Sequence, residues 1–224
     1  MKPYQIGPEM IADTFTQING LSIEPDKPIL IVDADEVLVL FASHFSIYLK
    51  NRGWGLNLKG YRLDDAITNL KDGHVADKIT YQKLISGFIR DETIRQPEAF
   101  GASKTLKAFK NRANIIILTN VPNTSYTDRV KNLTNLGMNY PVISNTGPKG
   151  PALAKIKESS ASICVFIDDN PFQIESAAKY VPDFYRFHFT ACDIVKKTMP
   201  ISKGATHRPK TWLEVMTLLD EILP

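Results

Sequence analysis

Two pairs of carboxylates have a spacing that points to metal-assisted chemistry. Asp33 and Asp35 follow one short apolar run, and Asp168 and Asp169 follow another. Such β-branched runs are typical of buried parallel strands, whose carboxyl ends meet at one edge of a sheet, so we expect the four acids to converge. Two like charges at roughly 4 Å and an effective dielectric of about 20 cost about 4 kcal/mol, so the cluster requires a cation or bound protons. Mg²⁺, which prefers oxygen ligands, is the expected cation.

The composition narrows the setting in which this chemistry takes place. The chain has 224 residues, 43% hydrophobic and 23% charged, enough for one core and a small subdomain. Its formal net charge of +3 and its dispersed basic residues argue against a nucleic-acid partner. We find no run of membrane-spanning length and no signal peptide in the first 19 residues. We therefore expect a cytoplasmic protein without a membrane partner, in which Cys164 is a small buried residue rather than half of a disulfide.

Strands and helices alternate along most of the chain. Five apolar runs predict strands at residues 29–32, 114–118, 141–144, 163–167 and 184–189. Helical patterns cover residues 123–136, 151–156, 172–180 and 211–223. This order predicts an α/β fold, a Rossmann-like parallel sheet with helices on both faces.

The interval after the first strand interrupts the alternation. Between residues 41 and 97, helical patterns occur at residues 45–49, 63–70 and 79–89, and no good central strand is found. This interval is long for a connection and short for an independent domain.

We therefore predict a small helical cap inserted after the first strand. The cap comprises residues 43–96, and the core comprises residues 1–42 and 97–224. A lid over the strand ends that determines substrate choice is a reasonable hypothesis for such an insertion. Trp54 and Arg62 are candidates for substrate contacts, although packing or solvent exposure is the simpler explanation for each.

Four short motifs occur in order along the chain. Asp-Ala-Asp-Glu-Val-Leu, residues 33–38, follows the first strand, and Leu-Thr-Asn, residues 118–120, ends the second. Lys149 opens a helix, and Asp-Asp, residues 168–169, follows a later strand. The set spans most of the chain and resembles the four motifs of the haloacid dehalogenase-like hydrolase superfamily, each in its expected context. The resemblance implies a Mg²⁺-dependent hydrolase, above all a phosphatase that cleaves a small phosphorylated metabolite.

The resemblance implies a role for each acid. Asp33 is the expected nucleophile, which would attack phosphorus and form an aspartyl-phosphate. Asp35 would protonate the leaving group and later activate water, and its backbone carbonyl is a metal ligand in the resembling family. Of the last two acids, Asp169 corresponds better than Asp168 to the main metal-binding aspartate of the family. Asp168 would bind the metal directly or through water. Each acid alone would be interpreted as a turn or capping residue.

The resemblance also implies residues that bind the substrate phosphate. Thr119 supplies a hydroxyl donor, and Asn120 follows it in the same motif. Lys149 is the preferred cation because it stands just before a helix, near the positive end of the dipole. Lys155, inside that helix, is the competitor. Glu36 departs from the glycine common at its position in the family, and the sequence leaves open whether its side chain points into the site.

Other functions compete with the phosphatase interpretation. Dehalogenation is weaker, because relatives with that chemistry generally lack the acid that Asp35 supplies. A receiver-type signalling domain also clusters Asp, Thr and Lys, but it would need its lysine after the last acids, whereas Lys149 precedes Asp168. A non-catalytic metal- or phosphate-binding protein on the same scaffold is the alternative from another class. The presence of both Asp33 and Asp35 argues against it.

Overall fold

The computed structural model describes residues 8–60, 63–159 and 163–224, with side chains from residue 13 onward. Its strands are β1 (Ile29–Val32), β2 (Trp54–Leu56), β3 (Ile67–Asn69), β4 (Asn114–Thr119), β5 (Val142–Ser144), β6 (Cys164–Asp168) and β7 (Tyr185–His188). Five of them form one parallel sheet in the order β5-β4-β1-β6-β7. The five predicted strands are therefore confirmed, with ends that differ by at most one residue.

Helices cover both faces of this sheet. They are α1 (Pro8–Asn19), α2 (Phe41–Lys50), α3 (Lys78–Glu92), α4 (Ala102–Phe109), α5 (Tyr126–Asn135), α6 (Gly150–Lys157), α7 (Pro171–Tyr180), α8 (Asp193–Lys196) and α9 (Trp212–Ile222). The sequence patterns did not predict α1, α4 or α8. The α/β fold class with helices on both faces is confirmed.

Alternating side chains of the central strand divide the core into two layers. Leu30 and Val32 of β1 belong to a cluster that includes residues of α4, α5 and α9. Ile29 and Ile31 belong to the opposite cluster, which includes residues of α1, α6 and α7. All four side chains are fully buried, and each such burial contributes about 1.5–3 kcal/mol. Because both faces of β1 are apolar and buried, the strand lies at the centre of the sheet. Its carboxyl end, directly before Asp33, therefore has a fixed position.

The interval between β1 and β4 builds a small separate core. Helices α2 and α3 pack with the antiparallel pair β2 and β3 around Phe45, Leu49, Ile67, Leu84 and Phe88. Helix α3 also contacts the 3-10 turn that follows β4. This interval therefore lies at the carboxyl edge of the sheet, while the boundaries of the predicted cap stay a prediction.

The predicted helix at residues 63–70 is wrong. Residues 67–69 form β3, which pairs with β2 through Leu56 and Ile67. Spacings of three and four between apolar residues suggested a helix, but Ile67 is fully buried whereas Leu70 is 58% exposed. The apolar residues do not share one buried face, and Thr68 and Asn69 are poor helix formers.

Of the two candidate substrate contacts in the cap, the structure describes Trp54 but not Arg62. Trp54 is half-buried, and its ring meets that of His74 edge to face at 5.3 Å. Arg62 lies outside the described residues, as do residues 1–7 of the predicted core.

Across the part of the chain that the structure describes, no helix is both long and apolar enough to cross a membrane.

A glycine allows the close approach of α6 to α7. A Cβ atom at Gly150 would lie 2.6 Å from both the backbone oxygen and the Oγ of Ser176. The Gly150 N–H donates to the same Oγ at 3.0 Å. Because Gly150 directly follows Lys149, this contact also sets where the lysine backbone stands.

We expect Gly150→Ala to lower the free energy of unfolding by about 1–3 kcal/mol, because the added methyl group overpacks the contact between α6 and α7. Urea denaturation measures this change. Gly60→Ala is the matched control, since nothing lies within 4 Å of a Cβ atom at Gly60, and its effect should stay below about 0.5 kcal/mol. Equal stability of the two variants would contradict the packing argument.

Candidate active site

The candidate site lies where three neighbouring strands end. β1 stands between β4 and β6, and Val32 is in register with Ile117 on one side and Ile167 on the other. The Asp33 N–H continues this pairing and donates to the Ile167 carbonyl at 2.9 Å. The strand ends therefore bring Asp33, Thr119 and Asp168 to one edge, as expected for parallel strands that bind ligands at their carboxyl ends.

Lys149 is the cation at the centre of this edge. Its Nζ donates to Asp33 Oδ1 at 2.6 Å and to Asp168 Oδ2 at 2.7 Å, and its side chain is only 2% exposed. Burial opposes the lysine charge, but the carboxylates of Asp168 and Asp33 outweigh it and raise the pKa of Lys149. Lys155, the other candidate, pairs with Glu158 at 2.6 Å near the surface. The structure thus places Lys149, and not Lys155, beside the expected nucleophile.

Three of the predicted metal ligands form a cluster. Carboxylate oxygens of Asp33, Asp168 and Asp169 lie within 4.8 Å of one another, and all three residues are buried. Burial raises the pKa of Asp168 to about 7 against the opposing effect of Lys149. Burial, then Asp168 and Asp33, raise the pKa of Asp169 well above its usual value. Closely spaced carboxylates that resist ionisation together suit a hard cation such as Mg²⁺.

Thr119 provides a buried hydroxyl at the same edge. The residue is fully buried, and its Oγ1 has no hydrogen-bond partner among the described residues. A buried hydroxyl without a partner costs about 1–3 kcal/mol. An oxygen of a bound ligand would satisfy this donor.

The side chain of Asn120 supports the loop that carries Lys149. Its Nδ2 donates to the Gly147 carbonyl at 2.9 Å, and its Oδ1 accepts from Asn145 at 2.9 Å. Gln173 also donates to Gly147, at 3.1 Å, and accepts the Lys149 N–H at 2.8 Å. These bonds use one N–H of the Asn120 amide and its oxygen, and the predicted contact between Asn120 and phosphate stays a prediction.

Asp35 lies apart from the three-carboxylate cluster and has its own cation. Its Oδ1 accepts from Nη2 of Arg129 at 2.6 Å, and its side chain is 32% exposed whereas that of Arg129 is 1% exposed. Loss of hydration among the surrounding protein atoms raises the pKa of Asp35, and the positive charge of Arg129 partly offsets this effect. The two acids of the first motif therefore have different cationic partners.

Arg129 is the residue that the sequence interpretation missed. It lies on α5, three positions after Tyr126 and four before Leu133, which is buried. A basic residue in the apolar stripe of a helix that faces the core is the signal that could have identified it, because an arginine is rarely fully buried without a charged partner.

Glu36 binds the N-terminus of helix α2. Its Oε1 accepts the N–H of Ala42, in the first turn of α2, at 2.5 Å. Burial raises the pKa of Glu36 to about 7, although the Ala42 bond opposes the shift. Glu36 has a φ of 61°, in the left-handed region that favours glycine, which explains why glycine suits this position. Glu36 is therefore directed to α2 and is not part of the three-carboxylate cluster.

The comparisons with known proteins identify the fold. No family model matches the sequence, and no curated protein matches it. Solved structures do match, including a candidate β-phosphoglucomutase from Thermotoga maritima, with 16% identity over 88% of this chain and 100% of that chain and a TM-score of 0.57. The chain has the haloacid dehalogenase-like fold.

Two further structures illustrate the haloacid dehalogenase-like fold. A hydrolase of that family from Deinococcus radiodurans R1, solved with bound phosphate and sodium, has 13% identity over 88% of this chain and 96% of that chain, with a TM-score of 0.59. A candidate phosphatase from Clostridium difficile has 12% identity over 88% and 100%, with a TM-score of 0.58. At these identities the likeness establishes the fold, and the chemistry must be argued from the site.

We expect the metal-free protein to lose stability as the pH rises from about 5 to 7.5. The pKa values of Asp168 and Glu36, each about 7 in the folded state, lie above their ordinary values, so the folded state binds more protons than the unfolded state in this window. Stability then falls with rising pH, by roughly 2–4 kcal/mol. Excess Mg²⁺ should remove the part of this dependence that comes from Asp168, because the cation replaces its proton, and should leave the part that comes from Glu36, which lies outside the cluster.

Urea denaturation across this pH window, with chelator or with Mg²⁺, measures the effect. Asp169→Asn, which removes one charge of the cluster, should weaken the pH dependence of the metal-free protein. Metal-free stability that stays constant or rises over the window would contradict the proposed charge balance.

Proposed function

We propose that this protein is a Mg²⁺-dependent phosphatase that cleaves a small phosphate monoester of the cytoplasm through an aspartyl-phosphate on Asp33. The observation that carries this proposal is the position of Lys149, whose Nζ contacts both Asp33 and Asp168. At the same edge, the Thr119 hydroxyl has no hydrogen-bond partner among the described residues. A nucleophilic carboxylate beside a cation and a free donor is the arrangement that a phosphoryl group requires.

In the first step, a carboxylate oxygen of Asp33 attacks phosphorus. The new bond joins Asp33 to the phosphoryl group, and the bond from phosphorus to the leaving-group oxygen breaks. Asp35, whose pKa the surrounding protein raises, donates its proton to that oxygen. Lys149 and Thr119 donate to phosphoryl oxygens and hold the group in line with the nucleophile.

In the second step, water attacks the phosphorus of the aspartyl-phosphate. Asp35, now a carboxylate, accepts the proton of the water, and the bond between Asp33 and phosphorus breaks. Inorganic phosphate leaves, and both acids return to their initial states. One acid therefore serves as proton donor and then as base, as the order of events requires.

Mg²⁺ fits the three-carboxylate cluster. Asp33, Asp168 and Asp169 would hold it together with the backbone carbonyl of Asp35. When bound, Mg²⁺ offsets the charges of the carboxylates and of the phosphate dianion, which would otherwise repel each other. Without it, four ionised aspartates with Lys149 and Arg129 would leave two net negative charges at the edge that must receive an anion.

The inserted interval, residues 43–96, is the part of the chain that we assign to substrate choice. Its helix α3 contacts the turn that follows β4, at the same edge as Thr119. Residues that cover this edge would contact the organic part of the ester and exclude water from the reaction. The binding-protein alternative would require the same edge to hold phosphate or metal without turnover.

We expect phosphate monoesters to be hydrolysed only when Mg²⁺ is present. Excess chelator should abolish turnover, and added Mg²⁺ should restore it. Ca²⁺ should substitute poorly, because its larger and looser coordination misplaces reacting groups. A screen of phosphate esters with each cation, read by release of inorganic phosphate, measures this dependence. Full activity in chelator would contradict the metal assignment, and binding without turnover of any ester would favour the binding protein.

The two acids of the first motif should differ in trapping experiments. Asp33→Asn removes the attacking carboxylate, so neither labelled protein nor product should form beyond a trace. Asp35→Asn keeps the nucleophile, so an ester with a good leaving group should still phosphorylate Asp33, while hydrolysis of the intermediate slows by about 10²-fold or more. Rapid quench with labelled ester distinguishes the two. Label on the Asp33→Asn protein would refute the assignment of the nucleophile.

A further inference from the structure

Arg129 is a buried cation whose guanidinium meets three side chains. Its Nη2 donates to Asp35 Oδ1 at 2.6 Å and to Gln96 Oε1 at 2.8 Å, and its Nη1 donates to Asn132 Oδ1 at 3.1 Å. Asp35 is the one charged partner in this set. Burying a guanidinium costs several kcal/mol that a single ion pair does not reliably recover, so stability alone is a weak explanation for Arg129.

The two neutral partners of Arg129 are themselves fixed. Asn132 donates through Nδ2 to the Gln96 carbonyl at 2.9 Å and to the Ile94 carbonyl at 3.3 Å. Gln96 is 1% exposed and Asn132 is 2% exposed. These bonds attach α5 to the segment where the chain returns from α3 to the core. The guanidinium therefore has a fixed position before it meets Asp35.

The contact with Arg129 gives the two carboxylate oxygens of Asp35 different roles. Oδ1 is engaged by Nη2, so the exchange of a proton with the substrate falls to Oδ2. A carboxylate on two rotatable bonds and partly open to solvent has several positions available to it. A charge-assisted bond at 2.6 Å from a buried donor selects one of them. General acid catalysis depends on this selection, because the acid must meet the leaving-group oxygen within hydrogen-bond reach.

We propose that Arg129 is a positioning residue for Asp35: anchored by Gln96 and Asn132, its Nη2 holds Oδ1 so that Oδ2 faces the leaving-group oxygen. This inference rests on the proposed phosphatase activity, in which Asp35 is the acid and later the base. Arg129 touches neither the substrate nor the phosphoryl group. Its effect on the rate passes through Asp35, and this separates it from a residue that only holds α5 in place.

The test compares two esters during the first turnover of Arg129→Lys. With an alkyl phosphate, whose leaving group needs a proton, phosphorylation of Asp33 should slow by about 10²-fold, while with p-nitrophenyl phosphate it should slow by less than about fivefold. The KM of both esters should change by less than about twofold, because Arg129 does not bind them. In the Asp35→Asn background, Arg129→Lys should add no further loss.

Arg186→Lys is the matched control. Arg186 donates to backbone carbonyls of Gly204 and Phe184 at 2.7 and 2.6 Å, away from Asp35, so its replacement should lower stability and slow both esters alike. Equal losses for the two esters in Arg129→Lys, or losses that add to those of Asp35→Asn, would overturn the positioning role.

Crystal structures of the wild type and of Arg129→Gln provide a readout that does not depend on activity. The Asp35 carboxylate should leave its wild-type position in the variant, while Asp33 and Lys149 stay in place. An unchanged Asp35 would overturn the inference. If none of the esters phosphorylated Asp33 in the wild type, the proposed function would fail. The crystal structures would still decide whether Arg129 fixes Asp35.

Discussion

The burial of three carboxylates around one lysine is the constraint on which the rest of the site depends. Asp33, Asp168 and Asp169 converge because the strands before them are parallel neighbours with fully buried side chains. The cluster is tolerable only with protons or cations, and Lys149 supplies one of the charges. The loop before Lys149 is held through three donors to the Gly147 carbonyl, and the helix after it begins at a glycine that no larger residue can replace without displacement.

A second feature of the site is that the two acids proposed as catalytic have separate cations. Lys149 contacts Asp33, and Arg129 contacts Asp35. A nucleophile must stay ionised next to its cation, whereas an acid that later becomes a base must exchange its proton easily. Different environments for two nearby carboxylates are the usual means of giving them different roles. Asp35 is also partly exposed, whereas the other three aspartates are buried.

The sequence predicted those parts of the fold that depend on local patterns. The sheet strands were predictable because their β-branched runs are continuous, and helix α5 was predictable up to Gly137, whose φ of 78° ends it in the left-handed region. The acids at the strand ends could be placed at one edge because parallel strands share a direction. The helix predicted at residues 63–70 failed because its apolar spacing was accidental in a segment that forms a hairpin strand.

The missed parts of the site are contacts between distant residues. Arg129 and Asp35 are 94 positions apart, and only the tertiary structure brings α5 close to the residues that follow β1. The role of Glu36 likewise depends on where α2 begins, and the side chain of Asn120 turns to a carbonyl 27 positions later. A motif identifies which residues carry the chemistry, but the partners that orient them are set by tertiary structure.

The most direct measurement of this charge constraint is the number of protons released when Mg²⁺ binds. Titration calorimetry in two buffers with different ionisation enthalpies gives that number at each pH. Because Asp168 and Asp169 hold protons more tightly than ordinary aspartates, binding near pH 6 should release protons, and the release should decline toward zero near pH 9. Asp169→Asn should bind Mg²⁺ more weakly and release fewer protons. Binding without proton release near pH 6, or no Mg²⁺ binding at all, would contradict the account.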